Sequence, residues 1–264
     1  MNPSFAIVQT GLEPLDFEKI RRAFRGVPGL TPHDANTVAS EGSGIVCRSF
    51  TANQAAALQA NLKTEGVAVE IVEESRLPVL PPGKTIHRIE ITPEAMLVDD
   101  VVKGMMPIAW EQVYLIAAGS VQLTTLVRQE RITDEPRSGL YALSPVFAPI
   151  IPVSGPEFRV ERVSKEATDW YLRAQIILAG RAARYCIDAE NFNFVPLGEG
   201  VTRDLAGNFC LLVRGLAAHA PKAMLSRGAA SIVSDPCEFA YYPRKNGFQD
   251  DIIWMLWRAQ PPAP

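Results

Sequence analysis

The chain opens on an apolar run, SFAIVQ (Ser4–Gln9), which predicts a short strand ending at Thr10-Gly11. Asp16 then precedes FEKIRRAFRGV, where Phe17, Ile20, Phe24 and Val27 recur at helical spacing and Lys19, Arg21, Arg22 and Arg25 face outward. Thr31–Ser40 predicts a second, shorter helix. Thr31 suits the N-cap, Pro32 the first helical position, and Asp34 the positive end of the helix dipole. Gly42 and Gly44 allow the turn that follows, since glycine accepts positive φ. Ile45–Phe50 predicts the next strand. Thr51 and Gln54 form a capping-box pattern ahead of a helix whose buried stripe is Ala55, Leu58 and Leu62. Gly66 ends that helix, and VAVEIV (Val67–Val72) returns as a third strand. The order β-α-α-β-α-β predicts a small open-faced sandwich with its helices on one side of a sheet.

RLPVLPPGK (Arg76–Lys84) is rich in proline and marks a boundary, giving a module over 1–76, a linker over 77–84 and a second domain over 85–264. Past it, His87, Ile89 and Ile91 alternate with Arg88 and Glu90, and a Thr92-Pro93-Glu94 turn leads into AMLVDD (Ala95–Asp100). A further strand centres on PIAWEQV (Pro107–Val113), and YLIAAGSVQL (Tyr114–Leu123) continues apolar. Strands in this series predict an antiparallel meander. Arg131–Thr168 breaks the pattern with Pro136, Pro145, Pro149, Pro152 and Pro156. So long a connection suggests either an excursion between two strands or a docking arm for another subunit, centred on 138–156 within 132–168.

DWYLRAQIIL (Asp169–Leu178) predicts a strand with Trp170, Leu172, Ala174, Ile176 and Leu178 on one face, and ARYCIDAENFNFVPLG a further strand pair or bulged hairpin. Asp204–His219 is the clearest helix, with Phe209, Leu212, Val213 and Leu216 as its inner stripe. Pro221 starts a second helical stretch through Ile232 and Val233. DIIWMLWRA (Asp251–Ala259), apolar on both faces, is expected as a covered final strand.

GLTPHDANTVASEG, followed by CRSFTANQAAALQANLKTEGVAVEIVE, resembles the C-terminal domain of the bacterial ribosomal stalk protein. Gly29, Leu30, Ala35, Thr51, Ala55, Leu58, Leu62, Gly66, Val69 and Ile71 fall where that family expects them, over about the first quarter of the chain. The resemblance implies a compact recognition module. In that family translation factors dock against lysines of the short helix; those positions here are His33 and Asn36, so the fold carries over and the ribosomal partner does not. In the second domain, the hairpin ahead of Trp110, Glu111 and Val113 resembles the opening of bacterial pleckstrin-homology-like domains, which implies a β-rich barrel with late helices. The fold class expected for the whole chain is α+β.

A length of 264 residues suggests about two domains, at roughly 100–200 residues each. Hydrophobic residues make up 47% and charged residues 21%, enough to bury a core, and a net charge of −3 argues against a face dedicated to nucleic acid. MNPSFAIVQTGLEPLD has neither a basic n-region nor a long apolar core, so neither a signal peptide nor a membrane span is expected. Cys47, Cys186, Cys210 and Cys237 are scattered with no CxxC spacing, and are expected as reduced thiols in a cytoplasmic protein.

Candidate chemistry is sparse. HDANTVASEGSGIVCRSF (His33–Phe50) gathers a histidine, carboxylates, serines, a cysteine and a GSG triplet. The triplet follows a helix instead of preceding one, so the window is expected to be scaffolding rather than a phosphate cradle. Cys186, Cys210, His219 and Cys237 lack the close pairing of a structural zinc site. No GxSxG occurs, and GAAS (Gly228–Ser231) falls in a helical stretch. Asp99-Asp100 and Asp250-Asp251 are expected on strands, where neighbours point to opposite faces and do not converge. YYPRKNGF (Tyr241–Phe248) mixes aromatic and basic residues, and is expected to be a loop joining the last helix to the last strand.

No catalytic, cofactor-binding or metal-ligating residue is therefore assigned. The expectation is a non-enzymatic, two-domain protein that recognises or assembles proteins, its partner an unidentified protein or a second copy of itself, with no membrane partner. The alternative is an enzyme or small-ligand binder with a pocket between the two domains. Arg173, Tyr185, Glu190 and Tyr241 are its candidate polar groups.

Overall fold

β1 (Phe5–Gln9) is apolar on both sides, and both sides are buried. The computed structural model describes residues 3–11, 15–41, 44–100, 104–133, 159–234, 236–243 and 245–260. Asp16 accepts a hydrogen bond from the Lys19 amide, satisfying one of the unpaired N–H groups that open α1 (Phe17–Phe24). α2 (Pro32–Glu41) starts on proline, with Thr31 and Asp34 bonded across its first turn. β2 (Ile45–Phe50) leads to α3 (Ala52–Thr64), whose Thr51–Gln54 capping box is formed in both directions, and then to β3 (Val69–Glu73). β1 lies between β2 and β3 and pairs antiparallel with each. Alternation along the strands sends Ile7, Val46 and Val69 to one face, where they meet Ile20, Phe24, Leu58 and Leu62 of the helices.

The next elements are β4 (Gly83–Thr85), β5 (Ile89–Ile91), β6 (Ala95–Asp100) and β7 (Gly104–Ala109); β5, β6 and β7 form an antiparallel meander. β8 (Val113–Thr133) and β9 (Arg159–Leu178) are 21 and 20 residues long and lie side by side. β10 (Arg184–Asp188) pairs antiparallel with β9 and parallel with β4. α4 (Leu205–His219) is capped by Asp204, which accepts from the Ala206 and Gly207 amides. β11 (Met224–Leu225), α5 (Arg227–Val233), β12 (Tyr241–Tyr242) and α6 (Lys245–Arg258) complete the chain, β11 and β12 both running parallel to β8. The fold is thus mixed α and β, with three sheets among the described residues and none closed into a barrel. Met1–Leu123 with Trp170–Pro264 forms one compact unit and Thr124–Asp169 a second.

Within the first unit the central sheet is buried on both faces. Ile116, Ala118, Ala174, Ile176, Tyr185 and Ile187 meet Phe209, Leu212, Val213 and Leu216 of α4. Leu115, Ala117, Val121 and Ile177 point the other way, onto Phe248, Ile252 and Leu256 of α6. The opposite side of α6 covers the first sheet, where Ala6, Val8, Ile45 and Val72 pack against Trp254. The second face of the N-terminal sheet is therefore closed by the C-terminal helix. Trp254 donates its indole N–H to the Gln9 carbonyl at 2.8 Å. Gly44, at φ +82°, lies beneath the same ring; a Cβ there would sit 2.4 Å from Trp254 Cγ. The GSG triplet thus supplies a glycine for close approach as well as for the turn.

Several expectations are corrected. DIIWMLWRA is helix, part of α6, because a run apolar on two faces fits a helix buried on two sides as well as a central strand, and only its neighbours decide. Asp250-Asp251 accordingly sits on a helix, and YYPRKNGF is a two-residue strand running into that helix instead of a loop joining a helix to a strand. β10 is followed by 3₁₀ turns at Ala189–Asn191 and Val195–Leu197, not by a second strand of a hairpin. Trp110–Gln112 is also a 3₁₀ turn, between β7 and β8. The stretch after Pro221 forms β11 before Ser226 caps α5. Residues 131–133 and 159–168, expected in the Pro-rich excursion, continue β8 and β9; 134–158 lies outside the described residues.

The cysteines differ too. Cys210 on α4 and Cys237 ahead of β12 are joined in a disulfide, their Cα atoms 6.8 Å apart across a sequence separation of 27. No local motif announces a pair so far apart, and tertiary packing alone brings it together. Cys47 and Cys186 are not in a disulfide.

Two outcomes are expected. Trp254→Ala, which removes a buried ring and the N–H bond to Gln9, lowers unfolding free energy in urea by about 3–5 kcal/mol. Titration of the unfolded, unreduced protein reads two thiols, and reduction costs stability of about 3.5 kcal/mol on the loop-entropy scale. A titre of four thiols would remove the Cys210–Cys237 bond from the fold.

Candidate functional site

The register of β9, β10 and β4 decides which polar side chains meet. Asp188 lies opposite Arg173, Cys186 opposite Gln175, and on the other edge Thr85 opposite Cys186. Ala174, Ile176, Tyr185 and Ile187 face the core beneath α4, so by alternation Arg173, Gln175, Arg184, Cys186 and Asp188 share the opposite face. Farther along β9 that same face carries Ile177 and is covered by α6. Where the apolar cover ends, a cavity of about 250 Å³ opens, walled by Arg173, Gln175, Arg184, Cys186, Asp188 and, from α6, Gln249.

Its electrostatics are incompletely closed. Arg173 Nη2 donates to Asp188 Oδ2 at 3.0 Å. Arg184 Nη1 reaches Gln175 Oε1 only at 3.5 Å, the outer limit of a hydrogen bond. Arg173 Nε, Arg184 Nε and Asp188 Oδ1 are buried with no hydrogen-bond partner. Among the described residues the same condition holds elsewhere only for Arg227 Nε and Asp251 Oδ1, so three of the five unsatisfied polar atoms found there lie on this wall. Gly83 makes room for the arrangement, because a Cβ there would lie 2.7 Å from Cys186 Sγ and 3.2 Å from Arg184 Nη2.

A second feature is aromatic. Trp170 on β9 and Tyr241 on β12 meet edge to face with ring centroids 5.5 Å apart, and they are 45% and 63% exposed. Two large aromatics that meet edge to face in solvent leave apolar surface exposed.

A third is buried. The Tyr242 hydroxyl donates to Asp251 Oδ2 at 2.7 Å, and the Arg227 guanidinium lies 5.5 Å from the Tyr242 ring centre. Burial pushes the Asp251 carboxyl above its ordinary value, against the opposite pulls of the Tyr242 hydrogen bond and Arg227. Burial likewise raises the Tyr242 phenol, helped by the Asp251 charge. The neighbouring Asp250 is also raised by burial, while accepting from Arg48 Nε at 3.0 Å.

The sequence candidates distribute as follows. Arg173 lines the cavity, whereas Tyr185 faces the core on the other side of the sheet, Glu190 occupies the turn after β10, and Tyr241 is in the aromatic pair. These four do not converge. His33 is exposed on α2, and burial pushes the Cys47 thiol up to about 12, too high for a nucleophilic thiolate. Of the supposed metal set, Cys210 and Cys237 bind each other, Cys186 walls the cavity, and His219 stacks on Trp110 at 5.1 Å. No group of three or more His, Cys, Asp or Glu among the described residues could hold a metal ion. No described helix is long and apolar enough to cross a membrane. Arg184, Gln175 and Asp188 escaped sequence reasoning. Their signal is the polar parity of DWYLRAQIIL and ARYCID, but its meaning depends on a register that sequence does not state.

Comparison of the chain with protein-family models, curated proteins and solved structures finds no match in any of the three.

The buried carboxyl gives a signed expectation. A group whose pKa is raised on folding contributes stability that is fully present below its unfolded value and lost as pH rises through the folded one. Wild type should therefore lose stability relative to Asp251→Asn as pH rises above the ordinary carboxylate value of about 4, read from paired urea denaturations. A gap that stays constant or closes would mean that Asp251 titrates normally in the fold.

Proposed function

We propose that this protein recognises or assembles with another polypeptide and carries out no catalysis itself. The observation behind this reading is the mismatch between two long strands and their short neighbours. β8 has β11 beside it at 115–116 and β12 at 120–121, and β9 has β10 beside it at 173–177. Over 122–133 of β8 and 159–167 of β9, the described residues supply no strand except the two themselves. Unpaired backbone N–H and C=O groups along such edges form a template for one more strand.

Identical edges are complementary to each other, so the partner assigned here is a second copy of the chain, related by a two-fold axis. Trp170, next in sequence to this stretch, supplies with Tyr241 an exposed apolar anchor. Two resemblances agree with a binding role. Residues 29–71 are similar to the stalk-protein recognition module, and the hairpin with Trp110 is similar to a pleckstrin-homology-like plan, here with open sheets.

Light scattering across a concentration series should give a dimer. Trp170→Ala with Tyr241→Ala should weaken that dimer about tenfold or more, as loss of an interface anchor does. A monomer that retains one stoichiometric protein from its native lysate would keep recognition and change the occupant. A monomer with no partner would end the proposal.

A further inference from the structure

What the cavity on the β9–β10–β4 face could bind does not rest on the assembly reading. Its charged wall consists of two guanidiniums and one carboxylate, which leaves one positive charge in excess. Arg173 is paired with Asp188, so the uncompensated cation is Arg184. Buried polar atoms without a partner are costly, and here they fall on half-buried residues of one wall. Two arginine Nε–H groups lack acceptors, and one carboxylate oxygen lacks a donor. An occupant that completed the set would accept hydrogen bonds from guanidinium at one end and donate to Asp188 at the other. It would carry a single negative charge.

We propose that this cavity binds a small monocarboxylate bearing a neutral hydrogen-bond donor beside the carboxyl, the chemistry of a short 2-hydroxy acid. Charge selects against the alternatives. A phosphate monoester carries roughly −1.5 to −2 at neutral pH and would over-neutralise the wall. A zwitterionic amino acid would leave the excess positive charge in place. A simple carboxylate would satisfy the arginines but leave the half-buried Asp188 carboxylate with Arg173 as its one donor among the described residues, and an acceptor short of donors costs affinity. Size agrees, since a volume of about 250 Å³ is smaller than the roughly 300–1,000 Å³ typical of drug-sized ligands. The arginine fork suits a carboxylate held by two parallel hydrogen bonds.

The test titrates the full-length protein calorimetrically with glycolate, acetate and inorganic phosphate as probes at neutral pH. Glycolate should bind about tenfold or more tightly than either of the others, the discrimination expected where one buried charged acceptor gains its donor. Arg184→Gln should weaken glycolate by a similar factor with an unchanged circular dichroism spectrum. Cys186, on the same wall, gives an independent readout in the native chain: glycolate should slow its alkylation by iodoacetamide, measured by peptide mass spectrometry, and acetate should not. Equal affinity for glycolate and acetate, tighter binding of phosphate, or no heat and no protection of Cys186 with glycolate would each overturn the proposal. If Arg184→Gln does not fold, the probe series and the protection of Cys186 in the native chain decide alone.

Discussion

A three-stranded sheet whose central strand is apolar on both sides cannot stand with one face in water, and the rest of this fold follows from how that face is covered. Helices α1 and α3 take one side; the other is closed by Trp254, from the far end of the chain. The contact is tight because it is partly backbone. Trp254 donates to the Gln9 carbonyl, the Gln9 amide donates to the Gly44 carbonyl at 2.7 Å, and the Gly44 amide donates back to the Gln9 side chain at 2.8 Å. Only glycine leaves space for the indole at that point. The same helix turns Phe248, Ile252 and Leu256 onto the central sheet, so one element finishes two cores. The contact between residues 9 and 254 spans nearly the whole chain, and closing so long a loop carries an entropic cost.

A helix that is apolar on opposite sides has no strong hydrophobic preference for one rotation about its axis. Polar contacts supply that preference. Asp250 meets Arg48 of β2, Asp251 meets Tyr242 of β12, and Trp257 Nε1 donates to Glu70 of β3 at 3.2 Å. Turning α6 by one residue would take both carboxylates from these partners. Burying Asp251 is unfavourable, as its raised pKa records, and the hydrogen bond from Tyr242 only partly offsets it. Such groups contribute orientation more than net stability.

Local features were legible in the sequence where the chemistry is local. The Thr51–Gln54 box, the inner stripe of α4 and the β2 boundaries all depend on residues within a few positions of one another. What failed depended on distant residues. The run Ile252–Trp257 carries the same apolar content whether it is a central strand or a doubly buried helix, and the choice lies in the surfaces of β1 and β8 that it meets. Cys210 and Cys237 look unrelated until α4 and the segment before β12 are packed. Arg173 was singled out, but its neighbours across the sheet, Asp188 and Arg184, were not, because pairing register is a tertiary fact. A shift of one residue in β10 would have turned Tyr185 toward Arg173 and Arg184 into the core.

That register also explains why a polar cavity can exist beside so apolar a face. On β9 the residues of one parity run Arg173, Gln175, Ile177, passing from charged to apolar within three strand positions, and α6 covers only the apolar end. β4, short and held parallel to β10, must then come close enough to hydrogen-bond without filling the space above Cys186. Gly83 meets both demands, since any side chain there would strike the Cys186 sulfur and the Arg184 guanidinium. Two guanidiniums with unmet Nε–H groups cost stability, and a water, an ion or a ligand is what such a group lacks.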